Sequence, residues 1–210
     1  MWHPRSMSVN SHSSNRSLAS HAGFTLVELL VVVAIVAILS AIAVPGFSSI
    51  AAGSSVTGAL NNFMADTSFA RGEALRRGKT VTICRTNQPT ASAPSCSTGD
   101  GLSVGGWKEG WVVFIDEDGD ANFDSGSDTV VRVQDAVHGL SEFFAVGANT
   151  ISAVSTANYI KFDGTGRAIG QQARWIIRPS GGLSSDASHA RTLCMNSVGR
   201  VRFIKGESVC

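Results

Sequence analysis

Tyrosine occurs once in 210 residues, and charged residues make up only 16%. Formal net charge is +1, so any affinity for an acidic polymer must come from charge segregation within the chain, not from overall charge. The chain has no Cys-x-x-Cys and no closely spaced histidines, which argues against a zinc site. Its one Gly-x-Ser-x-Gly spacing, Gly101 to Gly105, lies in a Ser/Thr/Pro/Gly-rich loop and not between a strand and a helix as a nucleophile elbow requires, and there is no phosphate-cradling glycine loop; His138 and His189 stand alone and read as surface residues. These absences leave no reading as an enzyme, and no cofactor or metal is implied. The first 23 residues contain no Asp or Glu, only Arg5, Arg16 and histidines, and no apolar stretch, unlike a secretory signal peptide. Met7 is an alternative start to Met1.

What the chain does have begins at Gly23-Phe24-Thr25-Leu26-Val27-Glu28. From Phe24 to Val44 the residues are almost all Leu, Val, Ile and Ala, and Glu28 is the one charge. At about 1.5 Å per residue such a helix spans roughly 30 Å, the thickness of a bilayer core. Pro45, Gly46 and Gly53 predict bends. After Gly53, Val56, Leu60, Phe63, Thr67, Ala70 and Ala74 recur at three- and four-residue steps, a buried stripe. Asn61, Asp66, Arg71, Arg76 and Arg77 occupy the opposite face, and Gly78 ends the helix.

Strands are predicted at Thr80–Arg85, Gly110–Asp116, Thr129–Gln134, Tyr159–Phe162, Arg174–Arg178, Arg191–Met195 and Arg200–Ile204. A Ser/Thr/Pro/Gly-rich loop runs from Pro89 to Gly106. One long helix followed by strands is an α+β arrangement. Three pairings of Cys84, Cys96, Cys194 and Cys210 are possible, and Cys84–Cys96 with Cys194–Cys210 is preferred because each closes a short local loop. Asp116, Asp118, Asp120, Asn122 and Asp124 alternate like a calcium loop, but Ala121 and Ser127 stand where an EF-hand needs Gly and Glu. A solvated hairpin turn is the better reading.

The Gly-Phe-Thr-Leu-Val-Glu stretch ahead of its apolar run resembles the N-terminus of type IV prepilins and type II secretion pseudopilins. The resemblance implies cleavage after Gly23 by a prepilin peptidase and methylation of the new N-terminus, Phe24. It divides the chain into a leader (1–23), a membrane or fibre-core half-helix (24–52) and a periplasmic head (53–210), with a pilin fold of helical spine and antiparallel β-sheet. Glu28 is either a protonated helix-start residue near the interface or, as the resemblance implies, the carboxylate that meets a neighbouring subunit's terminal amine as the fibre grows. Trp111-Val112-Val113-Phe114-Ile115-Asp116-Glu117-Asp118-Gly119 and Phe162-Asp163-Gly164-Thr165-Gly166 resemble segments of the FimT/GspH-like minor pilins and pseudopilins.

Acids dominate between Trp107 and Glu142, whereas bases dominate between Ile160 and Lys205. In the basic part, Gly199-Arg200-Val201-Arg202 on a strand puts two guanidinium groups on one face, roughly 6.6 Å apart, near the spacing of adjacent phosphates. This resembles the DNA-binding signature of FimT-type minor pilins. It implies DNA as a partner, contacted by Arg200 and Arg202 after the Gly199 turn, with Lys205 helping and Arg191, Arg174 and Arg178 as weaker candidates. The other implied partners are fellow pilin subunits, the peptidase and the inner membrane. The alternative is a GspH-like pseudopilin, a structural part of a type II secretion system with no DNA role.

Overall fold

The computed structural model describes residues 23–99, 106–147, 158–170 and 173–210. The leader residues 1–22 and part of the 89–106 loop lie outside the described residues, as do the side chains of Val44 and Pro45 at the predicted bend.

Helix α1 runs from Leu26 to Arg77, and its helical assignment passes through Pro45, Gly46 and Gly53. Thr25 caps it: the Glu28 N–H donates to Thr25 Oγ1 at 3.2 Å. Thr25 and Glu28 thus have the spacing of a capping box, and the acid lies at the positive end of the helix dipole. Gly78 closes the helix in the left-handed region at φ 64°, its N–H bonded to Ala74 O. In the last turns Arg76 and Arg77 both bind Glu73 at 2.7 Å, and these hydrogen bonds hold the Glu73 carboxyl down at about 2.

Two compact units meet between Ala43 and Val44. In the first, every large side chain from Leu26 to Ile42 is exposed. This helix is long and apolar enough to cross a membrane. The second unit, Val44–Cys210, holds the core. Val56, Leu60, Phe63, Thr67, Ala70 and Ala74 are all buried, as their spacing predicts. Asp66 is a correction: it is buried, not solvated. Its carboxylate accepts Trp111 Nε1 at 2.8 Å and pairs with Arg132 at 2.9 Å. The Arg132 guanidinium in turn lies 5.0 Å from the Phe69 ring centre.

The strands are β1 (Val81–Arg85), β2 (Trp111–Ile115), β3 (Thr129–Gln134), β4 (Leu140–Gly147), β5 (Tyr159–Phe162), β6 (Ala168–Ile169), β7 (Ala173–Pro179), β8 (Arg191–Met195) and β9 (Val201–Lys205). They form two antiparallel sheets, ordered β3-β2-β1-β5-β6 and β4-β7-β8-β9. β4 and β6 are not among the strands expected from the sequence. In β4 the buried run Phe143–Val146 has no polar alternation, because Phe143 enters the main core while Phe144 and Val146 pack with Ile176 in a separate cluster.

Phe63 of α1 ties the two sheets together. Its ring centre lies 5.1 Å from Trp107, 5.3 Å from Trp111, 5.1 Å from Phe143 and 5.2 Å from Trp175. Trp111 belongs to the first sheet, and Phe143 and Trp175 to the second. Disulfides join Cys84 to Cys96 and Cys194 to Cys210, the local pairing preferred from the sequence.

Candidate nucleic-acid interface

The β8–β9 hairpin turns at residues 196–199. Gly199 N–H donates to Asn196 O, Asn196 N–H donates to Arg200 O, and the Asn196 side-chain oxygen accepts the Arg200 N–H at 2.9 Å. Gly199 has φ 77°, and a Cβ there would sit 2.7 Å from Phe162 Cε1, so both conformation and packing require glycine. An Asn three residues before a Gly is a turn signal, and Asn196 holds this turn through both its backbone and its side chain.

Arg200 lies in the turn, one residue ahead of β9, and Arg202 lies within the strand; both are exposed. Neither forms an ion pair among the described residues. Arg202 stands opposite Cys194 in the register, and its Nη2 donates to Cys210 O at 3.0 Å, so the disulfide-linked tail steadies it. Alternation along β9 puts Lys205 with Val201 and Phe203, on the other face from Arg202. Lys205 faces Arg191 across the ladder, and Arg191 Nη1 donates to the carbonyls of Ser188 and Ala190. Arg200 thus lies at the turn and Arg202 just beyond it, while Lys205 and Arg191 stand apart as a second basic pair at the far end of the hairpin.

The weaker candidates are corrected. Arg174 is fully buried and donates to Ser208 O beneath the C-terminal segment. Arg178 is bound by Glu142 and Glu207, and the Glu207 hydrogen bonds raise its pKa while Arg178 lowers that of Glu207. Lys161 Nζ reaches Gly119 O at 2.6 Å. Much of the basic charge counted along the chain is thus consumed internally.

The acidic turn is organised in the opposite way. Asp116 is buried and accepts Gly119 N–H at 2.7 Å, Thr82 Oγ1 at 2.7 Å and Ala121 N–H at 3.1 Å. Asp128 accepts the N–H groups of Glu117 and Asp124. Carboxylate oxygens of Asp116, Asp118 and Asp120 come within 4.8 Å of one another, yet Asp116 spends both of its oxygens on the protein. The turn predicted to be solvated is anchored by buried acids.

At the N-terminus, Gly23, Phe24 and Glu28 are exposed. Residues 18–44 match the prokaryotic N-terminal methylation motif. Residues 59–199 match the family described as type II transport protein GspH.

The chain belongs to the GspH family. It is a protein of the type IV minor pilin and pseudopilin class, in which subunits associate with other pilin subunits after prepilin peptidase processing. No curated protein matches it. Two crystal structures of the type IV minor pilin FimU from Pseudomonas aeruginosa are similar to it. One has 16% identity over 75% of this chain and 96% of FimU, with a TM-score of 0.49. The other has 17% identity over 73% and 98%, with a TM-score of 0.47. The GspH match ends at Gly199, so Arg200, Arg202 and Lys205 lie beyond the matched residues.

Proposed function

We propose that this GspH-family chain is a minor pilin that binds extracellular DNA, without sequence preference, during DNA uptake. The observation that carries the reading is the pair Arg200 and Arg202: two exposed guanidinium groups at and just after a turn whose shape is held by Gly199, Asn196 and a disulfide, with no Asp or Glu paired to either among the described residues. Guanidinium forks suit phosphate oxygens, and phosphate contacts carry no base information. In this reading the chain is cleaved after Gly23 and methylated at Phe24. It is held in the inner membrane by its apolar helix with the head in the periplasm, and then passes into a fibre as Glu28 meets a neighbour's terminal amine. Replacing Gly23 leaves an uncleaved precursor; a mature N-terminus other than Phe24 counts against this route.

The test is a titration of labelled duplex DNA with the full chain in neutral detergent micelles, at several salt concentrations. With about three phosphates neutralised, affinity falls by roughly 40-fold between 50 and 200 mM salt. Arg200→Ala with Arg202→Ala removes most binding, and unrelated duplexes of equal length bind alike. Equal binding by the folded wild type and double variant removes the pair from the site. The second reading, a structural pseudopilin of a type II secretion system, is favoured by the description of the matching family. It gains if the wild type binds no DNA.

A further inference from the structure

The turn of the β8–β9 hairpin faces the end of α1 across a cleft of about 400 Å³. Ser68, Arg71, Gly72 and Leu75 of the helix line one wall, and Gly199, Arg200 and Val201 line the other. Among the described residues no carboxylate lines the cleft, yet two arginines do. Arg71 Nε donates to Gly166 O at 2.8 Å. That same carbonyl lies 3.5 Å from where a Gly199 Cβ would be, so the Arg71 fork is fixed beside the hairpin turn. Its terminal amino groups have no protein acceptor among the described residues, and neither has the Arg200 guanidinium. Ser68 turns its hydroxyl back to Met64 O, and Gly72 adds no side chain, so the helix wall leaves room between the two cations. Like charges facing one cleft with no acid between them repel, and an anion between them removes that repulsion.

We propose that this cleft is a phosphate subsite, in which Arg71 and Arg200 clasp one phosphodiester of the bound DNA, so that the backbone passes from Arg202 across the turn onto α1. The proposal rests on the DNA reading above and adds a contact from a second element. The volume accommodates a phosphodiester with its adjoining sugar, since pockets of roughly 300 Å³ and more hold small organic ligands. Leu75 and Val201 supply apolar wall for the sugar, and the two forks supply donors for the anionic oxygens. Arg71 looks like an ordinary solvent-facing helix residue in the sequence; the fold alone brings it to the hairpin.

The experiment uses the full chain in neutral detergent micelles and labelled duplex DNA at several salt concentrations. Gly72→Glu sets a carboxylate between the arginines. A Cβ at Gly72 meets nothing within 4 Å, and glycine is a poor helix former, so the helix accepts the change. Gly72→Glu is expected to lower affinity by about tenfold or more, whereas Gly72→Ala leaves it within about twofold. Arg71→Gln is expected to cost about tenfold and to reduce the salt slope by about 0.9. Wild-type affinity in both Gly72→Glu and Arg71→Gln, alongside weak binding by the Arg200→Ala, Arg202→Ala variant, overturns the cleft and leaves the DNA reading standing. No binding by the wild type overturns both.

Discussion

The acidic β2–β3 turn and the basic β8–β9 turn are both charge-rich hairpin ends, and they use their charges in opposite ways. In the acidic turn the carboxylates are the scaffold: Asp116 and Asp128 accept backbone N–H groups, and Asp120 accepts from Asn122. In the basic turn the scaffold is neutral, made by Asn196, the Gly199 conformation and the Cys194–Cys210 bridge, and among the described residues no Asp or Glu pairs with Arg200 or Arg202. Charge density therefore does not measure charge available to a partner. An ionised side chain that satisfies buried backbone groups is committed to the fold, while one on a turn built from other atoms is free to bind.

The sharpest way to break the comparison is Asp116→Ala. It leaves the Thr82 hydroxyl and the Gly119 and Ala121 N–H groups without their acceptor, and a loss of about 4 kcal/mol is expected in urea unfolding. DNA affinity of the remaining folded protein should be unchanged; an unaltered unfolding midpoint would make the acidic turn as dispensable as a solvated one. Gly199→Ala should destabilise by about 2 kcal/mol, through its left-handed backbone and its approach to Phe162, and should also weaken DNA binding by shifting Arg200. Thermal unfolding and a DNA titration read both effects.

Arg200→Ala with Arg202→Ala should change stability by no more than about 0.5 kcal/mol, yet reduce the DNA salt slope by about 1.8. A large stability loss would show that these side chains are structural after all. The smallest effect concerns pH. Hydrogen bonds from Asn122 hold Asp120 below the ordinary aspartate value, whereas local desolvation, then Asp120 and its acidic neighbours, lift Asp124 above it. The signs oppose each other. Asp120 contributes stability that is present above its unfolded pKa and lost as pH falls through its depressed folded value. Asp124 disfavours the fold when ionised and is relieved as pH falls through its raised value. Carboxyl titration by NMR should find the two midpoints on opposite sides of 3.8, and a common midpoint would remove the contrast.

Much of the fold was legible because it is local. The stripe from Val56 to Ala74 follows from helical repetition, and strands β3, β5 and β8 match their predicted bounds. Both disulfides close short loops, which favours them before any tertiary contact forms. Strand β4 was not legible, since side chains buried on both faces erase the alternation that marks a half-exposed strand. Asp66 was misplaced because its carboxylate is satisfied by Trp111 and Arg132, which helical spacing cannot reveal.

By itself the sequence determined the apolar helix with its lone Glu28 and the Gly-Arg-x-Arg segment, since each is written in neighbouring residues, and it favoured the local cysteine pairing over two others. Only the tertiary structure decided which charges remain available. Arg178 meets Glu142 because β4 lies beside β7, and Arg71 meets the hairpin because Gly166 holds it there. Ion pairing depends on distances of a few ångströms between residues far apart in the chain, and those distances are set by which elements adjoin, not by composition or local pattern.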